Sequence, residues 1–186
     1  MNTPSEASLR ISDFVKQITL VRHNFVGVAA TEKQLDKLKP TDAISTLKGI
    51  EQLYIPFGER DEYNSSLYPG ELGYCYEYAW RASLANPNLV YCEGYATNVS
   101  CRSIPLMHAW CVDKNTGLVI DSVWNDKASG VGYCGVPMQR SFVGDVLAQT
   151  KTFGVIENMH MLRKDYFDGQ NMACIVHKDF LDVVFK

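Results

Sequence analysis

Three residues in this chain have the types and order that nucleophilic chemistry needs: Cys75, His108 and Asp121. Cys75 opens the run Cys75-Tyr76-Glu77-Tyr78-Ala79-Trp80-Arg81-Ala82, which the spacing predicts to be a helix ended by Asn86-Pro87. A cysteine at a helix start feels unpaired N–H groups and the positive end of the dipole, and both favour the nucleophilic thiolate. A histidine within reach exchanges the proton. An aspartate behind the histidine fixes its tautomer and stabilises its charge.

The elements that must position these groups follow from the pattern around them. Residues 89–97, 105–113 and 117–124 are rich in β-branched and aromatic side chains and read as strands. Lys114-Asn115-Thr116-Gly117 reads as a tight hairpin turn. Symmetric pairing about it sets position 121 opposite 110 and 123 opposite 108. Asp121 is then a diagonal, same-face neighbour of His108. A slip of one residue would break that parity. A further short strand is expected near 131–137 and a helix over 141–149. The first third reads as helical. Leu9, Ile11, Phe14, Val15 and Ile18 have helical spacing; Thr31 begins a capping box with Gln34; Ile44, Leu47, Ile50, Leu53 and Tyr54 form a stripe after Thr41. These stripes are expected to be core. Residues 56–73 carry many turn formers and charges and read as one long loop.

The quoted pieces GYCYEYA (73–79), YCEGYA (91–96), HAWCVD (108–113) and VIDSVW (119–124) resemble the transglutaminase-like branch of the papain-like cysteine enzymes, over residues 70–125. The resemblance implies Cys75 as nucleophile, His108 as general acid and base, and Asp121 as its orienting partner. It implies an α+β fold with a papain/transglutaminase-like core: an antiparallel sheet packed against the helix that carries the nucleophile, with additional N-terminal helices. One domain is expected over 1–186, with a helical part over 1–55 and a catalytic core over 70–137. The expected reaction is hydrolysis or acyl transfer at an amide-type bond through a thioester, as in a protease, a glutamine deamidase or a transglutaminase. No cofactor is expected. A protein or peptide substrate, or a small amide, would be the partner. The papain branch commonly places an oxyanion-hole glutamine shortly before its cysteine, and residues 67–74 contain none. The Cys75 N–H supplies one donor, and Tyr74, Tyr68 or a loop N–H are candidates for the second. The alternative function is a non-catalytic binding protein that keeps the fold and holds a protein partner through residues 56–73.

Tyr74, Glu93 and Trp110 are the candidate substrate-binding residues. Tyr74 and Trp110 flank the proposed nucleophile and base, and Trp110 shares the His108 face by parity. Glu93, a carboxylate in an apolar strand, reads either as a solvent-facing position or as a substrate contact or partner of the site. Gly132-Tyr133-Cys134-Gly135-Val136-Pro137 reads as a cleft wall or a bend. A zinc triad of Cys101, His108 and Cys111 is disfavoured, because positions 108 and 111 face opposite sides of a regular strand. His23, His160 and His177 have no comparable context.

Composition bounds the rest. The 186 residues carry a net charge of −3, with 46% hydrophobic and 21% charged residues. Those fractions suit a single globular domain and exclude intrinsic disorder. With no basic run, the chain lacks the electrostatic footprint of a nucleic-acid binder. Glu6, Arg10, Asp13 and Lys16 interrupt every candidate signal-peptide run, and no stretch is long enough to span a membrane. The six cysteines include no CxxC pair. Free thiols and a cytoplasmic location are the expectation.

Overall fold

The computed structural model describes residues 3–16, 53–98, 104–124, 132–156 and 174–185. The chain is α+β, built on a five-stranded antiparallel sheet. A helix over 6–16 (α1) buries Ile11 and Val15 and leaves Leu9 exposed, as an amphipathic stripe should. Strand β1 (Ile55–Pro56) is followed by a short helix α2 (Glu62–Ser66), and α3 (Cys75–Ala85) then carries Cys75 as its first residue. Strands β2 (Leu89–Thr97), β3 (Leu106–Asp113), β4 (Val119–Ile120) and β5 (Gly132–Pro137) complete the sheet. After α4 (Arg140–Thr150) come a 3-10 turn (Lys178–Phe180) and α5 (Leu181–Val184). The strand order is β1-β5-β2-β3-β4.

Two expectations for the first half need correction. Ile55 does not end a helical segment. With Pro56 it pairs to Gly135 and Cys134 at the sheet edge, where a proline that lacks an N–H is tolerated. Residues 56–73 are not one open loop either. Asp61 caps α2, its carboxylate accepting from the Asn64 N–H at 2.9 Å, and Arg60 bridges to Val119. That cap is a short-range signal which the density of turn formers masks. The capping-box helix expected over 31–38 and the stripe residues Ile44, Leu47 and Ile50 lie outside the described residues; of that stripe, Leu53 is buried and Tyr54 packs against the core.

The hairpin has the register that the turn demands. Cys111 pairs with Ile120 and Val112 with Val119, the expected register, and the ladder ends at Ile120 just before Asp121. Gly117 holds φ +73°, and the Asp113 side chain accepts from the Asn115 and Thr116 N–H groups.

Both faces of the sheet are covered. On one, α3 packs against β2 and β3. The Cys111 thiol donates to the Ala79 carbonyl at 3.1 Å, and Trp80 meets Tyr91 edge-on. On the other, Trp110 lies among Phe57, Tyr133 and His108. Gly135 makes this layer possible: a Cβ there would lie 2.7 Å from Trp110 Cη2 and 2.3 Å from the Glu93 carbonyl oxygen. Gly135→Ala is therefore expected to cost about 2 kcal/mol through overpacking. The check is a lower urea midpoint at an unchanged m-value. Among the described residues no helix is long and apolar enough to cross a membrane.

Candidate active site

The position of Cys75 begins with Gly73. Its φ of +90°, costly for any residue with a Cβ, turns the chain sharply into Tyr74 and α3. Tyr74 is the N-cap; among the described residues no side chain caps the helix, and the Cys75 N–H has no partner within α3. Cys75 is half-buried.

His108 projects from β3 and is 2% exposed. Its Nε2 lies 2.8 Å from Asp121 Oδ2. The Cys75 side chain acts electrostatically on the same ring, whose Nδ1 is the nitrogen not engaged by Asp121. The structure thus brings Cys75, His108 and Asp121 together. Burial works against charge on the ring, but the Asp121 carboxylate and the Cys75 sulfur outweigh it and push the His108 pKa up to about 9. At neutral pH the ring is an imidazolium. Burial likewise opposes charge on Asp121, and there the His108 charge and the hydrogen bonds around it hold the carboxyl below its ordinary value.

Asp121 is itself held from several directions. Its Oδ1 accepts from the Val123 and Trp124 N–H groups at 2.9 and 3.0 Å. Its Oδ2 accepts from the Tyr133 hydroxyl at 2.9 Å as well as from His108. Its own N–H donates to Ser65 Oγ at 3.0 Å, which gives α2 its role: it delivers a buried serine to the backbone of the aspartate. The turn formed around Oδ1 folds Trp124 back over His108, with ring centroids 4.0 Å apart and planes 10° apart. Trp110 stacks on His108 at 6.2 Å. The indole face favours the charged form of the imidazole.

Sequence reasoning missed Ser65, Trp124 and Tyr133 as members of the site. The Asp121-x-x-Trp124 spacing was a usable signal for the turn. Nothing local marks Ser65 or Tyr133, which arrive from other elements.

The three substrate-binding candidates separate clearly. Tyr74, beside Cys75, is 55% exposed and open to solvent. Trp110 is wholly buried and backs His108 instead of lining an open cleft. Glu93 is wholly buried, not solvent-facing, and its carboxylate is committed to the fold. It accepts from the Tyr91 hydroxyl at 2.6 Å, the Ile156 N–H at 2.8 Å and the Val155 N–H, tying the segment after α4 to the sheet. Period-2 alternation could not place Glu93, because this sheet is covered on both faces. Tyr68 is also placed away from Cys75 and His108. Its hydroxyl accepts from Asn86 Nδ2, at the far end of a helix about 16 Å long.

Of the other thiols, Cys92, Cys111 and Cys134 are buried, and burial pushes each of them up. Cys174 is exposed and free. Cys111 turns toward α3 while His108 turns to the opposite face, and Cys101 lies outside the described residues. Among the described residues no three His, Cys, Asp or Glu side chains gather as metal ligands. No family model matches this chain, and no curated protein and no solved structure matches it.

Proposed function

We propose that this protein is a cysteine-nucleophile hydrolase or acyltransferase acting on amide-type bonds, with a papain/transglutaminase-like core. The observation that carries the reading is a single one: a buried His108 hydrogen-bonded to Asp121, with Cys75, the first residue of α3, near enough to act on the charge of the same ring.

The chemistry follows from that geometry. The Cys75 sulfur attacks the carbonyl carbon as a thiolate, forming a C–S bond while the carbonyl oxygen takes the negative charge. The Cys75 N–H is placed to receive that oxyanion. His108, already charged, passes its Nδ1 proton to the leaving nitrogen as the C–N bond breaks. A thioester and a neutral imidazole result. Water or an acceptor amine then attacks, His108 takes its proton, and the C–S bond breaks to restore thiolate and imidazolium. Water gives a protease or deamidase; an amine gives crosslinking. Asp121 stays ionised throughout and holds the ring.

Competitive labelling with iodoacetamide, read peptide by peptide by mass spectrometry, tests this. Cys75 is expected to react at least about tenfold faster than the exposed Cys174 at neutral pH, and His108→Ala is expected to erase the excess. If Cys75 reacts no faster than Cys174, the enzyme reading falls and a non-catalytic binding protein takes its place.

A further inference from the structure

We infer that Tyr133 is a positioning residue of this site: its hydroxyl donates to the same oxygen, Asp121 Oδ2, that accepts from His108 Nε2, and so sets how strongly the carboxylate holds the ring. The inference rests on the Cys75–His108–Asp121 reading above and extends it to a fourth side chain, supplied by β5.

Tyr133 has little freedom to do anything else. It is 1% exposed, and its ring packs on Trp110 with centroids 5.2 Å apart. Its N–H donates to Ser8 Oγ at 2.9 Å, and its carbonyl accepts from the Phe57 N–H at 2.9 Å. Helix α1 and the segment after β1 therefore pin its backbone from both sides. A buried phenol needs an acceptor, and Asp121 Oδ2 is the one it meets. Burial and the neighbouring carboxylate push its pKa well up, which keeps the hydroxyl a donor across the working pH range.

Two donors on one oxygen have a consequence for the ring. With Val123 and Trp124 on Oδ1, the Asp121 charge is spread over four donors. Each bond to a carboxylate draws charge from the others. Without the Tyr133 hydroxyl, Oδ2 would serve His108 alone and hold the imidazolium more tightly. The ring would then give up its proton to the leaving group less readily in acylation. The titratable and charged groups that bear on this cluster are Cys75 from α3, Cys111 from β3, which feels the Asp121 charge, Asp121 after β4, Tyr133 from β5, and Arg60 from the stretch before α2, whose charge acts on Tyr133. Trp110 and Trp124 stack on the ring as neutral faces.

The test is a 15N NMR titration of the His108 imidazole in the full chain, compared between wild type and Tyr133→Phe. Removing the hydroxyl is expected to move the His108 midpoint up by about half to one pH unit. Placing 3-fluorotyrosine at position 133, a stronger hydrogen-bond donor, is expected to move it down. This second arm keeps the test decisive should the phenylalanine variant fold poorly. Alkylation of Cys75 by iodoacetate supplies a parallel readout. The anionic reagent is drawn by the imidazolium, so the alkaline fall in its rate follows the same midpoint. If both variants leave the midpoint and the alkylation profile unchanged while stability alone drops, Tyr133 is only a packing residue and the inference is overturned. If wild-type Cys75 alkylation is indifferent to His108→Ala, the enzyme reading itself fails. The Tyr133 shift in the His108 titration is measured separately from that outcome.

Discussion

On the proposed acyl-transfer reading, Asp121→Asn is expected to lower kcat/KM for an amide substrate by on the order of 10⁴-fold while leaving the chain folded. The reason lies in the donor arrangement around the carboxylate. Oδ1 accepts from two backbone N–H groups, and an asparagine carbonyl oxygen can keep both. The amide nitrogen is then forced into the place of Oδ2, where it faces the Tyr133 hydroxyl and His108 Nε2. An NH2 group cannot accept from either. The ring can satisfy it only by presenting an unprotonated Nε2, which leaves the proton on Nδ1 and the imidazole neutral. A neutral ring with that tautomer cannot take a proton from Cys75 at Nδ1, and it has lost the carboxylate that stabilises its charge. The geometry survives and the proton inventory is wrong. Turnover of an amide that the wild-type protein cleaves measures the loss, and the 15N shifts of His108 report the tautomer directly. A variant within tenfold of wild type would remove Asp121 from the mechanism.

The same arrangement explains which parts of this protein could be read from sequence. The helix beginning at Cys75, the strand over 89–97 and the register of the 113–118 hairpin are set by short-range rules: a turn of fixed length, β-branched runs and a proline that ends a helix. Because the register is local, the facing of His108 and Asp121 was legible as well. What was not legible reaches the site through space. Ser65 and Asp121 are 56 residues apart, and Ser8 and Tyr133 are 125 apart. No periodicity connects such pairs. Glu93 shows a different limit. Alternation tells inside from outside only when one face of a sheet meets water, and here α3 covers one face and the Trp110 layer covers the other. A buried carboxylate with three donors looks, in sequence, the same as an exposed one. The segment 56–73 failed for a third reason. Its turn-forming residues are real, but Asp61 uses one of those residue types to start a helix.

The His108–Asp121 pair should also give the protein a characteristic pH dependence of stability. His108 titrates near 6.5 in an unfolded chain and near 9 in the fold. The folded state therefore holds this proton more tightly. The resulting stabilisation is complete below about 6.5 and is lost as the pH rises through about 9. With a side chain only 3% exposed, solvent screens the interaction little, and the gap is worth on the order of 3 kcal/mol. Asp121 works in the opposite sense. Its folded value is lowered, so its contribution is present above the ordinary value of 3.8 and disappears as the pH falls through the folded value. The two shifts describe one interaction seen from its two ends and are counted once. Both partners are charged and fully stabilising between about pH 4 and pH 6.5. Thermal unfolding should therefore show a plateau over that interval and a falling Tm from about 6.5 to 9. His108→Gln removes the titrating group, and its Tm should change much less over the alkaline range, whatever its absolute stability. The comparison of slopes is what matters, since the substitution itself costs packing under Trp124. A wild-type Tm that holds level or rises between pH 6.5 and 9 would mean that His108 is not charged in the fold, and the imidazolium that the proposed acylation step requires would be lost with it.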